Sequence, residues 1–561
     1  MIDIEIKPAE KIPGIDNIFL KFSYYNPKLI EIARSFTERR YDEKTRTWEI
    51  PIYKLKDIIK FYNKETIRIR YNRENNPDVI EIPTDYKFKN KPFPHQLEGI
   101  KYILNKENCL LADEQGLGKT FQSLNAAKIR MNMGLVDKCL ILCGVNALKQ
   151  NWKKEIMEHL GEDATILGLR KRKTKDVYYM GATEDKLDDL KTSQNKFLIT
   201  NVETLIVDDF IKELNKRKDI NMIILDECHK CTINTTSQRG KNLQKLSDKK
   251  YKVALSGTPI LNEPVDAYGV LKWLGYIKMN KGDFYNFFCI YGGFKDSELV
   301  GYKNLHVLKE LMNKCMLRRL KADVLDLPPK IYANKYLEMN EKQRKIYDEM
   351  RDEILENIDM ITNCKNPLSK LIRLRQATNY TGTLSSKIVE SVKLEYLNDK
   401  VRDIVMNKRK CIIFSNWTTM TDEIVNTLKD LNPAVMTGQQ NEIENENEKV
   451  RFRTNVDCNV LIGTIGTMGT GHTLNSLIDD LQVTDLFFTD LPWNKGTLDQ
   501  CTDRVHRIGT KGTINITNLV CEGTIDERIY DIVYKKGVMV ETILDNGTHE
   551  DKKEILAQLL K

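Results

Sequence analysis

Residues 108–120, NCLLADEQGLGKT, decide how the rest of the chain is interpreted. A short apolar run leads into a tight turn containing glycine, and a helical pattern then begins at Lys-Thr. Backbone N–H groups in such a turn can approach a phosphate because glycine has no Cβ, lysine adds a point charge, and a threonine hydroxyl is a ligand for Mg²⁺. The stretch therefore predicts a loop that binds a nucleoside triphosphate. Its candidate binding residues are Gly116, Gly118, Lys119 and Thr120, of which Thr120 would also hold Mg²⁺.

One position departs from the strict P-loop pattern, which has glycine where Asp113 stands. A chance Gly-Lys-Thr turn therefore stays open as an alternative when this stretch is taken alone. A second carboxylate motif and a distant pair of arginines would be needed to complete a hydrolytic site, and the chain has candidates for both.

Length and hydrophobic patterning exclude some classes of protein. A chain of 561 residues is too long for one hydrophobic core, so roughly three or four domains are expected. No run of about 18 apolar residues occurs, and the first ten residues are charged from the third onward, so neither a membrane span nor a signal peptide is expected. We therefore expect a cytoplasmic protein that is not secreted.

Charge and cysteine content are less decisive. The net charge of +8, from 88 basic and 80 acidic residues, is compatible with binding a phosphate backbone but does not require it. Twelve cysteines are scattered, mostly within apolar runs, which is typical of small core residues in a cytosolic protein. Cys228 and Cys231 form one pair at CxxC spacing without a second pair, so no zinc site is expected.

The organisation of the chain is indicated by short apolar runs that alternate with helical patterns from about Pro92 and again from about Lys387. Strands that are apolar throughout and alternate with helices indicate parallel sheets covered on both faces. We therefore predict an α/β protein with two parallel-sheet lobes. The predicted domains are an N-terminal α+β accessory module (1–82), the first lobe (83–262), helical insertions with an inter-lobe linker (263–385), the second lobe (386–540) and a C-terminal helix or tail (541–561).

Individual elements are predicted as follows. In the N-terminal module, helical patterns at 27–36 and 53–62 flank a hairpin at 39–52. The acidic tract 439–449 is predicted to be a solvated helix or loop, and residues from 547 onward a C-terminal helix. The predicted strands are 109–112, 139–143, 197–200, 222–225 and 252–256 in the first lobe, and 411–415, 460–464, 485–490 and 514–520 in the second.

Two adjacent carboxylates follow the predicted strand at 222–225. At the carboxyl end of a strand, Asp226 would hold Mg²⁺ opposite Thr120, and Glu227 would orient and deprotonate an attacking water. The alternative is a helix N-cap, but the pair lies in the same predicted sheet as Lys119, which favours the catalytic interpretation. Residues 256–259, Ser-Gly-Thr-Pro, follow the next strand and are either an ordinary turn or an element that responds to the γ-phosphate.

Two arginines in the second lobe supply the missing positive charge. Arg504 and Arg507 are three residues apart, so both would point the same way on a helix. A surface pair is the alternative. Phosphoryl transfer needs cations at the γ-phosphate, and the first lobe supplies only Lys119, so arginines from a second lobe would make hydrolysis depend on closure of the two lobes.

Taken together, the motifs resemble the SWI/SNF-type ATPases, a branch of the superfamily-two helicases, over about residues 85–540. Residues 316–330, MLRRLKADVLDLPPK, are the most specific, because a basic run ending in Leu-Pro-Pro-Lys marks this branch. The other matching blocks are FPHQ (93–96), LADEQGLGKT (111–120), ITNVETL (199–205), DECH (226–229), LSGTP (255–259), IIFSNW (412–417), IGTIGTMGTGHTLN (462–475), DLPWN (490–494) and DRVHRIG (503–509).

This resemblance implies two RecA-like lobes with family-specific helical insertions, and ATP and Mg²⁺ as cofactors. It implies that Gln96 contacts adenine, and that Lys119, Asp226, Glu227, Arg504 and Arg507 carry catalysis. It also implies DNA-stimulated ATP hydrolysis with translocation on double-stranded or branched DNA, which would remodel DNA structures or protein–DNA complexes. Two alternatives stay open: a strand-separating DNA or RNA helicase, and an ATP-gated DNA clamp that does not travel.

The N-terminal module and three departures qualify the resemblance. The Tyr-Asp…Trp hairpin is similar to the HARP module of SMARCAL-type annealing helicases, which would favour forked DNA, strand annealing and a role in DNA repair; a generic α+β domain is the alternative. The departures are Cys143-Gly144 where proline is common, residues 467–475 in place of the usual second-lobe DNA-contact motif, and Thr510 where glutamine is usual. The compact chain favours a phage or bacterial source.

Overall fold

The computed structural model describes residues 2–8, 16–23, 25–36, 39–62, 67–71, 79–144, 148–171, 178–258, 263–292, 298–357, 368–384, 388–469, 473–493, 495–507, 509–535, 555 and 558–560. The chain divides into two compact units. The first unit is Met1–Glu114 with Gly118–Arg319, and the second is Leu320–Lys561 with Gln115–Leu117.

The N-terminal part of the first unit is a five-stranded sheet with two helices. Its strand order is β3-β4-β2-β1-β5, antiparallel except for the parallel β1–β5 pair. The predicted helices and hairpin are present, and the sequence analysis missed β1, β2 and β5. The elements are β1 (Ile2–Pro8), β2 (Asp16–Phe22), α1 (Pro27–Ser35), β3 (Arg40–Asp42), β4 (Thr47–Pro51), α2 (Leu55–Phe61) and β5 (Ile67–Tyr71).

The rest of the first unit is built on a seven-stranded parallel sheet of order β16-β6-β13-β12-β7-β11-β8. The five predicted strands are confirmed to within a residue or two, and their apolar side chains are buried on both faces. The strands are β6 (Asn108–Leu111), β7 (Lys138–Cys143), β8 (Ala164–Ile166), β9 (Leu169–Lys171), β10 (Tyr178–Met180), β11 (Phe197–Asn201), β12 (Ile220–Leu225), β13 (Tyr251–Leu255), β14 (Cys289–Gly292), β15 (Glu298–Tyr302) and β16 (Met316–Leu317). Two pairs, β9–β10 and β14–β15, form separate antiparallel hairpins.

Helices cover both faces of this sheet. Helix α4 begins at Lys119, directly after the glycine-containing turn, and Gly118 precedes it in a left-handed conformation. The helices are α3 (Pro94–Leu104), α4 (Lys119–Asn132), α5 (Leu148–Leu160), α6 (Thr183–Thr192), α7 (Asp208–Lys216), α8 (His229–Thr232), α9 (Gln238–Gln244), α10 (Ala267–Leu274), α11 (Lys281–Phe288) and α12 (Leu305–Cys315).

The second unit contains a six-stranded parallel sheet of order β17-β22-β21-β18-β20-β19. Its four predicted strands are confirmed. The elements are α13 (Lys321–Val324), β17 (Lys330–Leu337), α14 (Glu341–Glu356), α15 (Leu368–Asn379), α16 (Val392–Met406), β18 (Lys410–Ser415), α17 (Thr418–Thr427), β19 (Ala434–Met436), α18 (Glu442–Thr454), β20 (Val460–Thr464), α19 (Ile465–Met468), β21 (Val483–Phe488), α20 (Lys495–Thr502), β22 (Ile514–Cys521), α21 (Ile525–Ile529) and a π-helix (Tyr530–Lys535).

The region 263–385 is helical for the most part, as predicted, but it also gives each sheet an edge strand. Strand β16 pairs with β6 in the first unit, and β17 pairs with β22 in the second. A two-residue strand is too short to show periodicity, so β16 left no local signal. The tract 439–449 enters α18, and its Asn445 and Lys449 are buried, so the helix is solvated on one side only.

Two further findings bear on the predictions. Of the predicted C-terminal helix, Ile555 and Gln558–Leu560 are described, and Ile555, Leu559 and Leu560 are buried in the core of the second unit. Within the described ranges, no helix is both long and apolar enough to cross a membrane.

A buried ion pair holds helices to the carboxyl edge of the second sheet. Lys393 on α16 is fully buried, and its Nζ lies 2.5 Å from Oδ2 of Asp526 on α21. The same Nζ donates a hydrogen bond of 2.6 Å to the carbonyl oxygen of Thr489, directly after β21. Breaking such a pair leaves an uncompensated buried carboxylate, which is strongly destabilising.

Replacing Lys393 with Met should therefore destabilise the second unit by about 3–5 kcal/mol, which would lower its unfolding midpoint by roughly 10 °C. Differential scanning calorimetry of the full chain measures this shift. The matched control is Lys342→Met, because Lys342 pairs with Glu390 at 3.2 Å but is 72% exposed. Equal shifts in the two variants would contradict the structural role of Lys393.

Candidate nucleotide site

Three motif loops meet at one edge of the first sheet because they follow three adjacent strands. The loop at residues 112–118, called the triphosphate loop below, follows β6. Ser256-Gly257-Thr258 follow β13, and Asp226-Glu227 follow β12. These strands lie in the order β6-β13-β12. The carboxyl ends of parallel strands are where open α/β sheets bind ligands. The predicted grouping of these motifs is therefore present in the first unit.

The triphosphate loop depends on glycine at two positions. Gly116 and Gly118 have φ angles of +90° and +78°, which L-residues with side chains rarely adopt. A Cβ on Gly118 would lie 2.3 Å from Nε2 of Gln96. Gln96 is buried, and its Oε1 accepts a hydrogen bond of 3.0 Å from the backbone N–H of Phe93 at the start of α3. Gln96 thus lies against the loop, and its contact with adenine stays a prediction.

Lys119 lies at the end of this loop and is directed back onto it. Its Nζ donates to the carbonyl oxygens of Asp113 at 2.7 Å and Glu114 at 3.4 Å. Thr120 follows it in the first turn of α4. The positive end of a helix, a lysine and a threonine hydroxyl are therefore grouped where a triphosphate and its Mg²⁺ would be held.

Like charges lie side by side at the adjacent carboxylates Asp226 and Glu227. Oδ2 of Asp226 accepts a hydrogen bond of 3.0 Å from Nε1 of Trp152. Loss of hydration and the neighbouring charge of Glu227 raise the pKa of the Asp226 carboxyl, and the Trp152 hydrogen bond and the charge of Lys119 oppose that shift. Within the described ranges, Oε2 of Glu227 is buried and has no hydrogen-bond partner, and it lies 3.5 Å from Nδ1 of His229.

Glu227 also has an unusual backbone. Its φ is +46°, in the left-handed region that costs energy for a residue with a side chain. Gly144 allows this geometry, because a Cβ there would lie 2.6 Å from Cβ of Glu227. The departure Cys143-Gly144 is therefore explained by close approach of the two loops. Strain and an unsatisfied carboxylate oxygen are typical of a functional site and fit a divalent cation with a reacting water.

His229 connects the carboxylate loop to the loop after β13. Its Nδ1 is 3.1 Å from Oγ of Ser256, which also accepts a hydrogen bond of 3.1 Å from the backbone N–H of Thr258. A change at Glu227 can therefore reach the Ser-Gly-Thr loop through one side chain, which agrees with the predicted coupling element. Pro259 lies outside the described residues.

Asp113, the departure from the P-loop pattern, is a fully buried anchor. Its carboxylate binds Arg319 through two hydrogen bonds, Nε to Oδ1 at 3.0 Å and Nη2 to Oδ2 at 2.5 Å, and Nε2 of Gln122 donates to Oδ2 at 3.1 Å. Sequence reasoning missed Arg319, Gln122 and Trp152. The paired arginines in residues 316–330 were the available signal for Arg319.

The prediction that Arg504 and Arg507 lie on one helix is wrong. Helix α20 ends at Thr502, and turns follow, because the chain must reverse at Gly509 (φ +96°) before β22. Arg504 is 6% exposed, and its Nε donates to the carbonyl oxygen of Gly469 at 3.0 Å. Nη1 of Arg507 donates to Oγ1 of Thr473 at 2.8 Å, so both guanidinium groups have partners within the second unit.

Thr510, another departure, stabilises these turns. Its Oγ1 accepts a hydrogen bond of 3.1 Å from the backbone N–H of Arg507 and donates one of 2.7 Å to the carbonyl oxygen of Val505. The third departure, 467–475, is described except for residues 470–472. Its contacts with DNA stay a prediction.

Comparisons with known proteins show the family of the chain. A family model for the SNF2-related domain matches residues 62–383, which is more than half of the chain. The chain belongs to the SNF2-related family. A model for the helicase conserved C-terminal domain matches residues 393–509 of this SNF2-related protein, which include Arg504 and Arg507. The resemblance to SWI/SNF-type ATPases is thereby confirmed.

Three relatives illustrate sequence similarity along most of this SNF2-related chain. It is 25% identical over 92% of its length to an uncharacterized ATP-dependent helicase of Mycoplasma pneumoniae, of which it spans about half (49%). It is 25% identical over 93% of its length to a SWI/SNF-related matrix-associated actin-dependent regulator of chromatin subfamily A-like protein 1 homolog of Caenorhabditis elegans, spanning 74% of that protein. It is 23% identical over 83% of its length to the DNA annealing helicase and endonuclease ZRANB3 of Bos taurus, spanning 41% of that protein.

A solved structure also matches. The Sulfolobus solfataricus SWI2/SNF2 ATPase core in complex with dsDNA is 22% identical, with a TM-score of 0.37 over 86% of this chain and 99% of that chain. The HARP-like assignment of the N-terminal module and the phage or bacterial source stay predictions.

Replacing Gly118 with Ala should weaken binding of a fluorescent ATP analogue at least about tenfold, a loss of roughly 1.4 kcal/mol. The reason is that the new Cβ would push Gln96 and the loop apart. Gly134→Ala is the matched control: its φ is +70°, but nothing lies within 4 Å of the added Cβ. If both variants bind the analogue equally well, contact between Gln96 and the loop is not needed for nucleotide binding.

Proposed function

We propose that this protein is an ATP hydrolase whose activity is stimulated by DNA and drives translocation along double-stranded DNA. The observation that carries the proposal is the carboxylate pair Asp226-Glu227 at the same sheet edge as the Lys119 loop, where Oε2 of Glu227 has no hydrogen-bond partner among the described residues. Membership of the SNF2-related family supports it.

Each residue of the motif loops after β6 and β12 has a distinct role in this proposal. Lys119 leaves the carbonyl oxygens of the loop and binds the β- and γ-phosphates, while N–H groups around Gly116 and Gly118 bind the β-phosphate. Thr120 and Asp226 hold Mg²⁺, which supplies charge neutralisation at the phosphates when bound. Trp152 keeps Asp226 oriented toward that position.

Glu227 is the proposed general base. None of the described residues donates a hydrogen bond to its Oε2, which can accept one from a water that attacks the γ-phosphate. His229 contacts both Glu227 and Ser256, so a change of charge at Glu227 alters the hydrogen bond between His229 and Ser256. The strained backbone of Glu227 fixes the direction of its side chain.

The second unit is proposed to supply cations that stabilise the transition state. Arg507 is the first candidate, because Arg504 is nearly fully buried and bound to the Gly469 carbonyl. Arg504 would need to leave that carbonyl before it could reach a phosphate. Hydrolysis would then require closure of the two units.

DNA translocation follows if closure changes how each unit holds the phosphate backbone. Movement requires that one unit bind DNA more tightly when closed and the other when open, since equal affinity in both states moves nothing. Contacts with phosphates give sequence-independent binding that weakens with salt. The similarity to the DNA annealing helicase and endonuclease ZRANB3 supports extending the proposal to strand annealing. Forked DNA and a role in DNA repair are proposed from the resemblance of the N-terminal hairpin to the HARP module.

Lys119→Ala and Glu227→Gln should each reduce DNA-stimulated ATP hydrolysis at least about a hundredfold, because they remove the phosphate-binding cation and the base. A phosphate-release assay measures this with duplex, forked and single-stranded DNA and RNA. Lys128→Ala is the matched control, since Lys128 lies on the same helix but pairs with Glu162. Turnover at the normal rate in either site variant would refute the assignment.

Translocation predicts that the ATPase rate rises with duplex length to a plateau, because a protein that moves along a short duplex reaches its end and dissociates after few steps. The measurement uses duplexes of increasing length at one total concentration of base pairs, together with displacement of a triplex-forming strand. A rate that does not depend on length indicates a clamp. Release of a duplex strand without triplex displacement indicates a strand-separating helicase.

A further inference from the structure

Residues 316–330, the connecting segment, carry the chain from one unit to the other. Arg319 is the last residue of the first unit and Leu320 begins the second. In the sequence these residues marked the family but had no assigned part in the chemistry. Both ends of the connecting segment are attached to motif loops, each within its own unit.

The first end is attached to the triphosphate loop. Strand β16 pairs with β6, and this pairing continues beyond the strands: Ala112 N–H donates to the carbonyl oxygen of Leu317 at 2.7 Å, and Glu114 N–H to that of Arg319 at 3.0 Å. Arg319 also binds the buried Asp113 carboxylate through two hydrogen bonds. Backbone and side-chain contacts thus fix the two residues that begin the loop.

Those two residues are the ones that hold Lys119. Its Nζ donates to the carbonyl oxygens of Asp113 and Glu114, on the peptide backbone that Arg319 fixes from the other side. If Lys119 turned toward a phosphate, it would give up these bonds, and any resulting shift of the Asp113–Glu114 backbone would act on Arg319, which is bonded to it.

Arg318 connects the same end to a second motif. Its Nη1 donates to the carbonyl oxygen of Gly257 at 3.3 Å, in the loop that receives the link from His229. Successive side chains of an extended chain point to opposite sides, so Arg318 and Arg319 reach two different loops.

The other end of the connecting segment is attached to the loop that carries Arg504 and Arg507. Nζ of Lys321 lies 2.8 Å from Oδ1 of Asp503 and donates to the carbonyl oxygen of His506 at 3.0 Å. The Lys321 and Asp503 side chains are each 5% exposed.

Two more contacts fasten this end. Lys330 binds Oδ1 of Asp503 at 3.2 Å, and Nε2 of His506 donates to the carbonyl oxygen of Pro328 at 2.8 Å. Nε of Arg507 in turn donates to the carbonyl oxygen of Asp503 at 2.9 Å.

We propose that the connecting segment mechanically couples the triphosphate loop to the arginine loop, with Arg319 and Lys321 as positioning residues. The two are two residues apart, a span of at most about 7 Å, so a shift of one anchor cannot be absorbed by slack before the other. The inference rests on the proposed ATPase function and adds a path by which nucleotide binding moves Arg504 and Arg507.

The test lengthens the span between the anchors without changing either one. Gly-Ser-Gly inserted between Arg319 and Leu320 adds slack between the two loops. The same insertion after Asp326, which is exposed, is the matched control, because it falls between Lys321 and Lys330, which are both anchored within the second unit. Both proteins are compared with the unaltered chain for DNA-stimulated ATPase rate, for affinity for a fluorescent ATP analogue, and for amide hydrogen exchange at 500–507 with and without a non-hydrolysable ATP analogue.

The insertion after Arg319 should retain affinity for the analogue but lower DNA stimulation about tenfold, within the usual range of coupling between sites. It should also abolish the response of amide exchange at 500–507, whereas the insertion after Asp326 should preserve both. Equal behaviour of the two insertions overturns the coupling. If the unaltered chain does not hydrolyse ATP, the proposed function fails, and the exchange response still decides the coupling.

Conservative variants give a second measurement that does not depend on tolerance of insertions. Arg319→Lys and Lys321→Arg keep both charges but change the geometry of each anchor. If the segment couples the loops, their effects on DNA-stimulated kcat combine non-additively by at least about threefold, as for residues of one network. Additive effects mean that each residue only stabilises its own unit, and they overturn the proposal.

Discussion

Two adjacent carboxylates, Asp226 and Glu227, are partly buried at the edge of the first sheet, and the partial loss of hydration costs free energy that neighbouring residues offset. Trp152 donates to one of them, and Lys119 lies close enough to favour its charged form. The other is held in a left-handed conformation that Gly144 makes room for. Repulsion between like charges and a strained backbone therefore occur at the same place. A bound cation would offset the repulsion.

The buried Asp113 shows how one motif can depend on another that is distant in sequence. In a strict P-loop its position is glycine, and an unpaired carboxylate buried beside phosphates would oppose nucleotide binding. Arg319, 206 residues later, neutralises it through a bidentate pair, and Gln122 donates a third hydrogen bond to the carboxylate. The acidic loop residue Asp113 and Arg319 of the paired arginines therefore form one interaction, and each explains the presence of the other.

The interior strands of the two parallel sheets were predictable because apolar runs of strand length alternate with helical patterns, and the order of motifs along the chain predicted that the loops after β6, β12 and β13 lie at one sheet edge. The failures have specific physical causes. Strand β16 is two residues long. Strands β1, β2 and β5 belong to a module whose helices gave the stronger sequence signal. Arg504 and Arg507 were assigned to a helix from their spacing, but the left-handed Gly509 and the Thr510 hydroxyl instead stabilise turns. Side-chain partners such as Trp152 and Asp226 come from elements far apart in sequence, so no local pattern reports them.

The cysteines have a practical consequence for labelling chemistry. All eleven within the described ranges are buried, and burial raises the pKa of each thiol, so reactive thiolate is scarce and shielded from reagents. Cys364 lies outside those ranges and would be replaced by Ser first. One cysteine introduced at an exposed position of each unit could then carry a maleimide dye without removal of the eleven buried thiols, which makes the distance between the two units measurable by fluorescence.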